Sequence, residues 1–163
     1  PSERKYMKIL AVVHSTHIGN TMQIAEAMAE VAPLTIAEFE NIDKYNLSQY
    51  DAVGFGGGIN AGSHDGKLLS FVQKLQSVPK YSFAFSTSAT GKYQKHNKKL
   101  ISLLESRGSK VLGSFGCKGL CKFFIFALAG GINKGRPNID DFDAAQDFIM
   151  QVMAELEKEK ARQ

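Results

Sequence analysis

Two uninterrupted apolar runs, Ile9-Leu10-Ala11-Val12-Val13 and Ala52-Val53-Gly54-Phe55-Gly56, narrow what this chain can fold into. A strand with one wet face alternates apolar and polar residues, whereas a strand apolar at every position is covered on both faces. Such strands need helices above and below the sheet. Residues 8–13, 34–39, 51–57, 81–86 and 110–117 read as strands, and residues 21–31, 67–75, 95–107 and 139–160 as helices. Helical spacing is explicit in Ile24, Ala27, Met28 and Val31, in Leu100, Leu103 and Leu104, and in Phe142, Ala145, Ile149, Val152, Met153 and Leu156. Pro137 and Asn138 precede the last helix, and Asp140, Asp141 and Asp143 place negative charge where the helix dipole favours it. The alternation predicts an α/β fold, a doubly wound five-stranded parallel sheet with helices on both faces.

The 163 residues, 44% of them hydrophobic, suit one compact domain over residues 1–163, with residues 1–6 expected to be flexible. No repeat or low-complexity tract interrupts them. The first residues are polar, and no uncharged run approaches the roughly 18 residues that span a bilayer, so no transmembrane segment is expected and the chain reads as cytoplasmic. Cys117 and Cys121, with three residues between them, match neither a disulfide scaffold nor paired zinc ligands. Two structural thiols are the plain reading, and a redox dithiol the weaker one. The net charge of +4 would suit acidic proteins, anionic lipid or nucleic acid. Nucleic acid is disfavoured, because no dense lysine tract with interleaved aromatics and no helix-turn-helix or zinc-finger pattern is present.

In open sheets of this type ligands bind beyond the carboxyl ends of the strands, at the point where strand order reverses. The loops after Val13, Gly57, Ser86 and Cys117 are therefore the places to look. The first reads His14-Ser15-Thr16-His17-Ile18-Gly19-Asn20-Thr21 and runs straight into a helix. Free N–H groups at a helix start, the positive end of its dipole and side-chain donors from Ser15, Thr16, Asn20 and Thr21 can hold a phosphate without a lysine. A nucleoside-triphosphate loop is excluded by the missing Gly-Lys-Ser/Thr, and a dinucleotide fingerprint by the single glycine, Gly19. A phosphomonoester is the better match.

The run Thr16-His17-Ile18-Gly19-Asn20-Thr21 resembles the phosphate loop of the flavodoxin family, Thr/Ser-x-Thr-Gly-Asn-Thr at the end of the first strand. Resemblance extends over nearly the whole length through element order and the loops after strands three and four. It implies a flavodoxin-like strand order 2-1-3-4-5 and one noncovalent flavin mononucleotide (FMN), with Ser15, Thr16, His17, Ile18, Gly19, Asn20 and Thr21 around the phosphate. Ile18 stands where the family usually has a hydroxyl, leaving Ser15 or His17 to compensate. By the same resemblance, the loop Gly57, Gly58, Ile59 and Asn60 would line the flavin ring and present a backbone carbonyl to its N5. Ser86, Thr87, Ser88, Gly91 and Tyr93 would form the second ring loop. The chain has no tryptophan, so any aromatic stack on the first of these loops is absent or replaced by Ile59.

The apolar segment of residues 120–132, with Phe123, Phe124 and Phe126 flanked by Lys122 and Lys134, admits three readings: core packing near the flavin edge, a docking surface for a redox partner, or contact with a membrane surface. No nucleophile–base pair, carboxylate dyad or metal-ligand cluster is evident, so neither a catalytic residue nor a bound metal is expected, and His96 reads as a surface residue. The resemblance implies an electron-transfer protein that passes electrons between redox partner proteins, a reductase and an acceptor. One alternative is an FMN-dependent oxidoreductase acting on a quinone or tetrapyrrole-like ring. The other is a flavin-free binding domain.

Overall fold

The computed structural model describes residues 7–15, 18–121 and 130–163. The expectations for residues 1–6, for Thr16 and His17 in the first loop, and for Phe123, Phe124 and Phe126 fall outside the described residues.

The strands are β1 (Ile9–His14), β2 (Leu34–Glu38), β3 (Ala52–Asn60), β4 (Ser63–His64), β5 (Tyr81–Ser88) and β6 (Lys110–Lys118). The five longer ones pair in parallel in the order β2-β1-β3-β5-β6, which is the doubly wound order expected. The two-residue β4 is an unforeseen antiparallel addition, paired to the end of β3 through Ile59↔His64 and Asn60↔Ser63. The helices are α1 (Asn20–Ala29), α2 (Gly66–Lys74), α3 (Tyr93–His96), α4 (Lys98–Ser106) and α5 (Ile139–Ala161).

Side chains of the central strands divide between two cores, because successive residues of a strand point to opposite faces. Ile9, Ala11 and Val13 face α1 and α5 with Phe83, Phe85, Phe148 and Ile149. Leu10 and Val12 face α2 and α4 with Phe55, Leu68, Leu100 and Leu104. Gly54 and Gly56 of β3 take their place for a packing reason: a Cβ on either would fall inside the ring of Phe83 or Phe85 on the neighbouring strand. Two large rings therefore lie flat across β3, and glycine is the residue that leaves room for them.

Where sequence spacing predicts one helix over residues 95–107, two form, joined at Asn97, and the expected surface residue His96 is 8% exposed. Asn97 is fully buried, and its amide donates to Ser114 Oγ at 2.9 Å and to the Phe115 carbonyl at 3.0 Å. Both acceptors lie just past a register irregularity, where Ser82 pairs with Val111 but Ala84 with Ser114. The helix break thus delivers an amide to a bulged strand. At the other end of the chain, α5 begins with the expected start signal: Asn138 and Asp141 form a reciprocal capping box, and Arg136 grips the Asp141 carboxylate with Nε and a terminal nitrogen, both at 2.6 Å. Burial alone would raise the Asp141 pKa, but the bonds from Arg136 and the Asn138 N–H hold it below its ordinary value.

Candidate functional site

Parallel strands bring His14, Asn60, Ser88 and Lys118 to one edge of the sheet. At this edge the chain leaves β1 and enters α1 through Gly19, whose φ of 76° and ψ of 17° lie in the left-handed region. A residue with a Cβ resists that conformation. Gly19 brings no side chain to the helix start, and among the described residues no side chain caps the first turn and no carboxylate stands in it. The terminus therefore offers backbone N–H groups and the positive end of a helix dipole with nothing acidic to repel an anion. That donor set fits a phosphomonoester.

The side chains beside this terminus are less free than the sequence suggests. Thr21 is buried, and its hydroxyl lies 2.8 Å from that of Thr87 on β5. Two hydroxyls share one hydrogen bond there, which leaves a second O–H proton to be donated elsewhere. The Asn20 amide, expected to face a phosphate, donates one of its two protons to the Leu120 carbonyl at 2.8 Å and packs on Gly119, where a Cβ would come within 2.6 Å of it. Ser15 and Ile18 are half-buried.

The two expected ring loops are strand ends. Gly57 and Gly58 continue β3 and pair with Ser86 and Thr87, while Ile59 and Asn60 form one arm of the β3–β4 hairpin. The turn residues Ala61 and Gly62 have φ of 52° and 83°, the left-handed pair that a two-residue hairpin requires. Ser86, Thr87 and Ser88 belong to β5 and are 9% exposed or less. Ser88 Oγ accepts from the Gly91 N–H at 2.8 Å, closing a turn in which Gly91 has φ of 70°. The Tyr93 ring stacks on Phe115 with centroids 6.4 Å apart, so its face is engaged with β6. Of the sixteen residues singled out from sequence, the described fourteen all belong to segments that end at or border this edge of the sheet.

Sequence reading missed His64. It is 4% exposed, and its Nε2 lies 2.7 Å from Asn97 Oδ1. Because the Asn97 nitrogen is occupied in donating, Oδ1 must accept, so His64 carries its proton on Nε2. Among the described residues its Nδ1 has no partner, and it lies 3.3 Å from where a Gly57 Cβ would stand. Burial chiefly lowers the His64 pKa; the Asn97 bond opposes it, and His96 and His14 reinforce it. A neutral imidazole thus pins the hairpin to the α3–α4 joint. The turn residues Asn60-Ala61-Gly62-Ser63 were the local signal for such a hairpin.

The chain after β6 closes the site from the far side. Cys121 and Ile132 exchange backbone hydrogen bonds at 3.0 and 2.8 Å, and the Asn133 amide donates to the carbonyls of Ala89, at 2.8 Å, and Gly119, at 3.2 Å. Both cysteines are free; burial, aided by the charge of Asp141 and opposed by Arg136, pushes the Cys117 thiol up to about 12, which suits a structural thiol. Among the described residues no cluster of metal-ligating side chains is present and no helix is long and apolar enough to cross a membrane. A cavity of about 490 Å³ lined by Met7, Pro33, Leu34 and Tyr50 opens at the amino ends of β1 and β2, the opposite end of the sheet from these loops.

Comparison with known proteins agrees with this geometry. A relative from Methanocaldococcus jannaschii, described as an uncharacterized protein, is 34% identical over 148 residues, 90% of this chain and 99% of its own. A flavodoxin from the domain Archaea superposes with a TM-score of 0.67 at 15% identity, covering 93% of this chain and 99% of that one. Oxidised flavodoxin 2 from Bacillus cereus also gives 0.67, at 18% identity, with 91% and 99% covered. The family model for the flavodoxin domain matches residues 11–121. With two thirds of its length matched in this way, the chain belongs to the flavodoxin family.

Proposed function

We propose that this chain is one FMN-binding domain that accepts electrons from one redox protein and hands them to another, in keeping with a family that binds FMN and transfers electrons. The observation that carries the reading is the start of α1: left-handed Gly19, first-turn N–H groups with no side-chain cap among the described residues, and no carboxylate. The backbone from Ser15 to Thr21 would hold the phosphate, with Thr16 and His17 completing the loop, and the spare hydroxyl proton of the Thr21–Thr87 pair is a further donor. Gly57, Gly58, Ile59 and Asn60 on one side and Ser86, Thr87, Ser88 and Gly91 on the other would border the ring, with Tyr93 behind Gly116 rather than on the ring face. Bound there, the flavin supplies one- and two-electron chemistry. What the chain contributes is binding, exclusion of water and the fixed direction of backbone dipoles.

No catalytic side chain is assigned. His64 and His96 are buried here, each with a ring nitrogen unpaired among the described residues, and His64 acts through the hairpin it holds. Titration with FMN and with riboflavin, read by quenching of flavin fluorescence, tests the reading. One FMN bound per chain, with riboflavin at least about tenfold weaker because it lacks the phosphate, is the expected result. Equal affinities would remove the helix terminus from the site.

A further inference from the structure

Charge is divided along the chain in a way its net value hides. Between Gly66 and Ile139 there are thirteen lysines and arginines and a single acid, Glu105; the remaining residues hold seven basic and fifteen acidic groups. In space, the basic stretch builds α2, β5, α3, α4 and β6, and the acidic remainder builds α1, β2 and α5. The two faces of the sheet therefore convert a sequence asymmetry into an electrical one: acidic α1 and α5 cover one face, and basic α2 and α4 cover the other.

Within the basic half, the positive groups gather at the carboxyl end of the sheet. Lys92 follows Gly91, and the Lys118 stem lies 3.3 Å from where a Gly91 Cβ would stand. Lys134 adjoins Asn133, whose amide holds the Ala89 carbonyl, so three lysines surround the turn that ends β5. Lys95, Lys98 and Lys99 continue the patch along α3 and the first turn of α4. All six are exposed, and none forms an ion pair among the described residues. The first turn of α4 has no acid and carries two lysines, against the preference of a helix dipole, whereas α5 opens with Asp140 and Asp141. A helix start that forgoes its own stabilisation is a sign of service to something outside the molecule. The field is felt inside as well: after burial, Lys95 and Lys92 are the causes that lower the His96 pKa.

We infer that the lysine rim at the carboxyl ends of β5 and β6 is the docking face for a redox partner with an acidic surface. The inference rests on the electron-transfer reading above and adds the sign and place of the contact. An acidic protein is favoured over a lipid surface because the patch encircles the turn beside the site from which an electron would leave. Long-range attraction of this kind raises association rates and fails as salt screens it.

The test uses an acidic [2Fe–2S] ferredoxin as probe. Mixed anaerobically in its reduced form with the FMN-loaded protein, it gives up one electron from its cluster to the flavin. The second-order rate should fall about tenfold between about 10 mM and about 500 mM ionic strength. K92E/K118E should slow the low-salt rate about tenfold, whereas K74E/K80E, with the same change in net charge at the opposite end of the sheet, should slow it less than about twofold. A rate indifferent to salt, or equal slowing by the two double variants, overturns the inference. So does retention of the wild type, but not K92E/K118E, on phosphatidylglycerol vesicles with no sensitivity toward ferredoxin, which would assign the rim to a membrane. Failure to load FMN is seen beforehand by fluorescence and counts against the cofactor reading alone. In that case the same salt and variant contrasts, measured as affinity for oxidised ferredoxin, still decide the docking face.

Discussion

Gly19→Ala separates the backbone's part in anion binding from every side chain. With φ at 76°, an L-residue at this position is strained by about 1–2 kcal/mol. Nothing lies within 4 Å of the added methyl group, so crowding contributes nothing and the whole effect is conformational. The strain must appear in one of two places. If the flavin-free loop keeps its left-handed turn, urea denaturation of that form should show the full 1–2 kcal/mol loss, at about that size. If the loop relaxes without ligand, stability is preserved and FMN binding weakens about tenfold, the affinity equivalent of about 1.4 kcal/mol. The two losses should add to the same total. Gly19→Asn is the internal control, because asparagine tolerates left-handed backbone and should recover roughly half of the loss. Fluorescence titration with FMN and urea unfolding of the flavin-free protein together measure it. Unchanged affinity and stability in Gly19→Ala, or an asparagine variant no better than the alanine one, would refute the idea that the turn's handedness shapes the anion site.

Asn97→Ala removes the partner of His64 Nε2, Ser114 Oγ and the Phe115 carbonyl in a fully buried site, and should cost about 3 kcal/mol in urea unfolding, since stranded buried polar groups cost about 1–3 kcal/mol each. A loss below about 1 kcal/mol would show that the joint relaxes freely. His64 and His96 both have folded pKa values lowered from 6.5 by burial, so the unfolded chain binds their protons more readily. Their contribution to stability is therefore present above pH 6.5 and drains away as acid approaches the folded values, and His64→Gln should flatten the fall in the unfolding midpoint on acidification; an unchanged slope would count against it. Ala61 occupies the left-handed first position of the hairpin turn at φ 52°, and Ala61→Asn should stabilise the protein by about 0.5–1 kcal/mol, measured as a raised thermal midpoint.

Much of the sheet could be read from the sequence because its evidence is local. A run apolar at every position announces a strand covered on both sides, and hydroxyls, one glycine and an amphipathic helix in succession announce a donor-rich terminus. What sequence reading missed depends on distant partners. Gly57 and Gly58 look like the start of a loop, yet the strand runs on to Asn60, and Gly54 and Gly56 before them make room for phenylalanines on β5, about thirty residues later in the chain. Asn97 looks like one more residue of an amphipathic helix, and only the bulge in β6 explains the break. Asn20 reads as a phosphate donor from its place in the loop, and nothing local signals that one of its two amide protons is given to Leu120, 100 residues away.

The amide of Asn133 has a consequence for how the molecule is assembled. It clasps the end of β5 to the turn after β6, while Asn20 holds the start of the first helix to that same turn. The rim of the site is thus stitched from four stretches of chain by bonds that no local segment can make alone. Contacts of such long sequence separation form late, after their loop-closure entropy has been met by the sheet. An Asn133→Ala chain would keep its strands and α5 and lose the clasp, and cofactor capture would then follow the completion of folding rather than guide it.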